Sequence, residues 1–132
     1  LVVDDDPVLR DLLRRMLERE GYSVVEAGNG RAALEEVRAR AVGAVLLDLM
    51  MPEMDGFEFL EELRRDGERR DVPVIVITAR ELTAEDHRRL NGSVERILQK
   101  GAYGREDLLA EVRRLVRVSI GQRQAGDPGR AE

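Results

Sequence analysis

Hydrophobic positions along this chain alternate between two periods, short unbroken apolar runs and longer stretches with apolar residues three and four apart. Leu1-Val2-Val3 is the first run and ends in Asp4-Asp5-Asp6. Pro7 follows, suited to the first turn of a helix, with Asp6 as its N-cap. Val8, Leu9, Leu12, Leu13, Met16 and Leu17 carry a helical stripe that Gly21 stops. Ser23 to Ala27 reads as a second strand, Gly28-Asn29-Gly30 as a turn, and Ala33, Leu34, Val37 and Ala41 as the apolar face of a second helix. Ala44-Val45-Leu46-Leu47 then runs straight into Asp48. Such a run fits a strand covered on both faces, as in a parallel sheet. Met50, Met51 and Pro52 form a loop, because proline disfavours helical geometry in the residue before it. Asp55-Gly56 restarts the chain into a third helix marked by Phe57, Leu60 and Leu63.

The second half repeats the alternation. Val72 to Ile77 is a fourth strand ending at Thr78, with Pro73 near its start, where a missing N–H is tolerated. Thr83 caps a short fourth helix, with Asp86 three residues later as a box-like partner. Val94 to Gln99 is a fifth strand ending at Lys100, and Gly101 to Gly104 is a loop. Leu108, Leu109, Val112, Leu115 and Val116 mark the last helix. Residues 1–119 are expected to form the domain, and 120–132, polar and rich in Gly, a disordered tail or linker.

Five strand-then-helix units imply a parallel sheet with helices on both faces. With right-handed crossovers, the natural arrangement is a flavodoxin-like, doubly wound α/β fold with strand order 2-1-3-4-5. Its site lies at the switch between strands one and three, which end in Asp4-Asp5 and in Asp48.

Composition narrows the chemistry. A length of 132 residues suits one domain, and with aromatics at 3% the core must rest on Leu, Val, Ile and Ala. The absence of Cys removes disulfides, thiolate metal sites and Cys nucleophiles, and a single His removes a multi-His metal site. A net charge of -5 gives no global basic footprint, so no direct nucleic-acid contact is expected. No apolar run approaches the roughly 18 residues of a membrane span, so none is expected to touch a membrane. Residue 1 already lies in a strand-like run, so the sequence is expected to start inside a longer protein. Of 22 basic residues, Lys100 is the only lysine. An ammonium is a compact point charge, unlike the planar arginine fork.

On this topology Asp4, Asp5, Asp48, Thr78 and Lys100 fall at four strand ends along one edge. Three carboxylates in one cleft raise one another's pKa values, and a cation relieves the repulsion. An all-oxygen set suits Mg²⁺, and a backbone carbonyl just past Asp48, at Met50, could add a ligand. An aspartate can be a nucleophile toward phosphorus, provided positive charge meets the phosphoryl oxygens. Lys100 could supply part of that charge, and the Thr78 hydroxyl could donate a hydrogen bond. Taken singly, the residues have blander roles. Asp6 and Asp55 suit helix caps, Thr78 a strand end satisfying backbone, and His87 a polar surface.

Together these residues carry a resemblance. The chain resembles the receiver domain of two-component response regulators over residues 1 to about 118. Leu1-Val2-Val3-Asp4-Asp5-Asp6-Pro7 looks like the first strand with its acidic pair. Asp48-Leu49-Met50-Met51-Pro52-Glu53-Met54-Asp55-Gly56 looks like the phosphoacceptor loop, and Thr78-Ala79 and Lys100 match the hydroxyl and lysine positions. The resemblance implies that Asp48 accepts a phosphoryl group from a phosphohistidine of a histidine kinase or histidine phosphotransfer domain. It implies Asp5, Asp48 and the Met50 carbonyl as direct Mg²⁺ ligands and Asp4 as a ligand through water. Thr78 and Lys100 become phosphoryl contacts coupled to the fourth helix and fifth strand. It further implies a cytoplasmic domain that assists its own phosphorylation and dephosphorylation but is not an enzyme in isolation. Two residues depart from the family pattern: Gly101 stands where proline usually follows the lysine, and Ile97 where an aromatic switch residue is usual. Residues 91–103 look like receivers at the end of hybrid histidine kinases, which makes intramolecular kinase domains the expected partners.

Three other readings compete. Gly28-Asn29-Gly30-Arg31-Ala32-Ala33 fits a G-x-G-x-x-A dinucleotide fingerprint, but its turn follows an edge strand away from the switch point. A Mg²⁺-dependent phosphohydrolase of the haloacid-dehalogenase type would need an acid/base two residues after Asp48, where Met50 stands. A degenerate receiver would act only by binding a partner.

Overall fold

The computed structural model describes residues 1–125 apart from 68 and 70. Five strands and five helices alternate: β1 (Val2–Val3), α1 (Pro7–Arg19), β2 (Glu26–Ala27), α2 (Gly30–Ala39), β3 (Val45–Leu47), α3 (Gly56–Arg65), β4 (Val74–Thr78), α4 (Ala84–Leu90), β5 (Arg96–Gln99) and α5 (Arg105–Ala125). A 3₁₀ turn, Lys100–Ala102, opens the loop expected between β5 and α5. The strands are parallel and ordered β2-β1-β3-β4-β5, the flavodoxin-like arrangement expected from the alternation.

Period-two alternation in the strands builds two cores. Val2, Leu46, Ile75, Ile77 and Leu98 join Leu13 and Leu17 of α1 with Leu108, Val112, Leu115 and Val116 of α5. Val3, Val45, Leu47, Val74 and Val76 join α2, α3 and Leu90 of α4 on the other face. Burying each such side chain contributes about 1.5–3 kcal/mol relative to leaving it in water. The register sets Val3 beside Leu47, Leu47 beside Val76 and Thr78 beside Gln99, so four strands end along one edge.

Caps fix where the helices leave that edge. Asp6 accepts from the N–H groups of Val8 and Leu9 at 3.0 and 3.4 Å. Asp55 with Glu58, and Thr83 with Asp86, form reciprocal capping boxes. His87 is exposed.

Several boundaries differ from expectation: β4 opens at Val74, not Val72, and β5 at Arg96, not Val94. Only Glu26–Ala27 of the expected second strand is paired as strand, although Val25 still accepts from the Val2 N–H at 2.8 Å. α5 continues to Ala125, so 120–125, expected as tail, are helical. One interior glycine, Gly121, costs a helix only about 1 kcal/mol, and the preceding Ser119 and Ile120 are still held against the domain, buried and half-buried. Residues 126–132 of the expected tail lie outside the described residues. No described helix is long and apolar enough to cross a membrane.

Candidate functional site

Backbone pairing seats the two central carboxylates. The Asp4 N–H donates to Ala27 O at 3.1 Å and the Asp48 N–H to Val3 O at 2.9 Å, which holds both residues at the ends of adjacent strands. Asp4 is 3% exposed and Asp48 4%, whereas Asp5 is exposed. Each buried carboxylate is held the same way. Asp4 Oδ1 accepts from the Asp6 N–H at 2.9 Å and Asp48 Oδ1 from the Met50 N–H at 3.3 Å. Lys100 Nζ donates to the remaining oxygens, at 2.9 Å to Asp4 Oδ2 and 3.4 Å to Asp48 Oδ2.

The electrostatics follow from this placement. Burial pushes the Asp4 carboxyl above its ordinary value, reinforced by Asp48 and opposed by the Asp6 N–H and Lys100. Burial pulls Lys100 down, but its bonds and attraction to Asp4 and Asp48 outweigh it, so the ammonium is raised and stays charged. Asp4, Asp5 and Asp48 each offer an oxygen, all within 4.8 Å of one another, a donor set that fits a hard divalent cation.

Thr78 is fully buried at the end of β4, between the strands that lead to Asp48 and Lys100. Its Oγ1 accepts from the Arg80 N–H at 3.1 Å, the backbone-satisfying role open to any strand-end threonine. Met50 is two residues past Asp48 and is 53% exposed.

The loop after Asp48 is held by close backbone approaches. A Cβ on Gly56 would stand 2.4 Å from Asp48 O, and one on Gly30 would stand 2.6 Å from Met54 O. The Gly30 N–H donates to Met54 O at 2.9 Å, and Glu53 takes the left-handed φ of 65° that turns the loop. The dinucleotide-like glycine pattern thus serves the chain itself: its tight position receives Met54, and Asn29 caps α2 by accepting from the Ala32 N–H at 2.8 Å.

Sequence reasoning missed Arg10. Its Nη1 donates to Asp4 O at 2.6 Å and its Nε pairs with Glu26 at 3.1 Å. The signal available was a basic residue one turn into α1, with an acidic residue, Glu26, in β2.

A doubly wound sheet with an acidic triad and one lysine at its carboxyl edge defines a receiver-type α/β domain. The chain belongs to the response regulator receiver domain family, whose model matches residues 1–113. It is 41% identical over 127 residues to response regulator MprA of Mycolicibacterium vanbaalenii, covering 96% of this chain and 54% of that protein. It is 42% identical over 117 residues to response regulator MprA of Mycobacterium leprae, covering 89% of this chain and 50% of the relative. The chain therefore spans about half the length of the curated relatives it matches. The N-terminal domain of a response regulator receiver protein from Methanoculleus marisnigri JR1 superposes with a TM-score of 0.70 at 38% identity, over 87% of this chain and 92% of that one. The receiver domain of sensor histidine kinase PA1611 from Pseudomonas aeruginosa PAO1, solved with a magnesium ion in its active-site cleft, gives 0.76 at 29% identity, over 91% and 94%.

Proposed function

We propose that this domain takes a phosphoryl group onto Asp48 from a phosphohistidine of a histidine kinase or histidine phosphotransfer domain. The observation that carries this reading is the Lys100 ammonium bridging Asp4 and Asp48 with Asp5 beside them. An Asp48 carboxylate oxygen attacks phosphorus; the P–O bond forms as the P–N bond breaks, and the imidazole leaves with the electron pair of that bond. Lys100 holds positive charge beside Asp48, where the phosphoryl oxygens arrive. Thr78, at the next strand end, supplies a hydroxyl that can donate to one of them.

The donor set fits Mg²⁺. Asp5, Asp48 and the Met50 carbonyl would hold it directly, and Asp4 through water. A direct role for Asp5 suits the geometry, because Asp5 is exposed and makes no hydrogen bond or ion pair among the described residues. When bound, Mg²⁺ adds charge stabilisation at the phosphoryl oxygens. The magnesium ion in the active-site cleft of the PA1611 receiver supports a magnesium site in this domain.

The domain acts on itself and has no separate substrate to turn over. Met50 cannot transfer a proton, which disfavours the phosphohydrolase reading. As for the whole protein, the two MprA relatives are response regulators about twice as long as this chain, and they favour a response regulator over the hybrid-kinase placement expected from residues 91–103. The complete reading frame decides between the two.

Intact mass after incubation with Mg²⁺ and acetyl phosphate tests the chemistry. One phosphoryl group gained by the parent and none by Asp48→Asn supports it. No gain by a parent that binds Mg²⁺ would make the domain a degenerate, partner-binding receiver.

A further inference from the structure

Position 97, where receivers usually carry an aromatic switch residue, is a half-buried isoleucine packed against the α2–α4 side of the sheet. It has no polar group with which to follow Thr78. Arg80 has several. Its N–H donates to Thr78 Oγ1 at 3.1 Å, and its carbonyl accepts from Gln99 Nε2, next to Lys100, at 3.0 Å. Its Nε and Nη2 donate to the two oxygens of Asp86, both at 3.1 Å, in the two-pronged geometry that makes Arg–carboxylate pairs strong. Its guanidinium also lies 5.4 Å from the ring centre of Phe57, and Arg89 of α4 lies 4.2 Å from the same ring.

α4 depends on this pair more than a helix ordinarily would. It has seven residues, and only Asp86 and Leu90 are buried. The Asp86 side chain is 6% exposed and also accepts from the Thr83 N–H at 3.0 Å. One apolar anchor and one carboxylate therefore set where the helix lies. A nearly buried carboxylate that loses its arginine keeps only the Thr83 N–H, and a shift of the helix toward water relieves the lost pairing.

The Thr78 hydroxyl is the link to the reacting group. Turning it toward a phosphoryl oxygen on Asp48 either leaves the Arg80 N–H without its acceptor or draws the Arg80 backbone along with it. Both disturb the guanidinium that holds Asp86.

We propose that Arg80 is the positioning residue that couples Thr78 to α4, through its ion pair with Asp86, in place of an aromatic at 97. This rests on Asp48 being the phosphoacceptor. Two discrete placements of α4 are then biased by one event at the strand edge, which is what coupling between sites requires.

Amide hydrogen exchange in 84–90, with and without Mg²⁺ and acetyl phosphate, tests the coupling in the 132-residue chain and its Arg80→Gln and Arg80→Lys variants. Intact mass is read on the same samples. Uptake by Arg80→Gln also reports that the variant folds. In the parent, phosphoryl uptake should speed α4 exchange roughly tenfold, within the usual range for coupled sites, and leave α1 unchanged. Arg80→Gln should gain the same mass but exchange quickly in both states. Arg80→Lys, with the charge but not the fork, should show a smaller response than the parent. Equal responses in parent and Arg80→Gln would overturn the relay and leave the phosphoacceptor reading intact. Loss of uptake in Arg80→Gln with α1 protected as in the parent would put Arg80 in the acceptor site itself and overturn the relay. Failure of the parent to gain mass would overturn both.

Discussion

Lys100 Nζ lies 2.9 Å from Asp4 Oδ2, across 96 positions of sequence. The contact joins the first strand to the last at the carboxyl edge, and Asp48 completes it from the strand next to β1. This gives a physical reason for one lysine in a chain otherwise basic through arginine. An arginine fork is shaped to take both oxygens of one carboxylate, whereas an ammonium with three rotatable donors can serve one oxygen on each of two.

Removing that ammonium leaves two buried carboxylates facing each other. Lys100→Ala is expected to lower stability at neutral pH by about 1–3 kcal/mol, below the ~3–5 typical of a fully buried pair because Lys100 sits at an edge open to water. Mg²⁺ should restore part of the loss by supplying charge to the same oxygens. Urea unfolding of parent and variant, with and without Mg²⁺, measures this. Equal stability without metal would mean that the carboxylates do not depend on Lys100.

The glycines divide by what surrounds them. A Cβ at Gly30 meets Met54 O at 2.6 Å and one at Gly56 meets Asp48 O at 2.4 Å, while one at Gly101 meets nothing within 4 Å. Gly30→Ala and Gly56→Ala should each destabilise by about 1–3 kcal/mol, since backbone atoms must shift. Both should also slow phosphoryl uptake, because the displaced loop carries the Met50 N–H that holds Asp48.

Gly101→Ala should instead gain about 0.4–1 kcal/mol, by restricting the unfolded chain without strain in the folded one. Thermal unfolding of the variant checks it. A gain with phosphoryl uptake unchanged would mean that the absence of proline after Lys100 is neutral to the chemistry. A loss of stability would point to a backbone requirement at 101.

The three central strands were legible because they are buried on both faces and read as unbroken apolar runs. The caps were legible because Asp6, Asp55 and Thr83 are local signals. Asp4, Asp48 and Lys100 could be brought together only because parallel topology sends every strand end to one edge. Lateral contacts were not legible. Arg10 on Asp4 O, Arg80 on Asp86 and Gly30 on Met54 depend on how a helix or loop leans on its neighbour, and a one-dimensional period does not encode that. The end of α5 was misread for a related reason: the packing of Ser119 and Ile120 carries the helix past Gly121, against the local composition.

The ion pair on α4 has its own pH signature. The Thr83 N–H holds the Asp86 carboxyl below its ordinary value of 3.8; burial opposes this and Arg80 reinforces it. A carboxyl with a lower pKa in the folded chain than in the unfolded one binds its proton more readily after unfolding. Its stabilisation is therefore fully present above about pH 4 and is lost as pH falls through the lower, folded value. Asp86→Asn cannot titrate, so it should be less stable than the parent at neutral pH, and the gap between the two should narrow as pH falls below about 4. Urea midpoints for both proteins, from about pH 7 down to about pH 2, measure the gap. A gap that stays constant over that range would mean that the deficit does not come from the charge on Asp86, and the ion pair would then contribute nothing to holding α4.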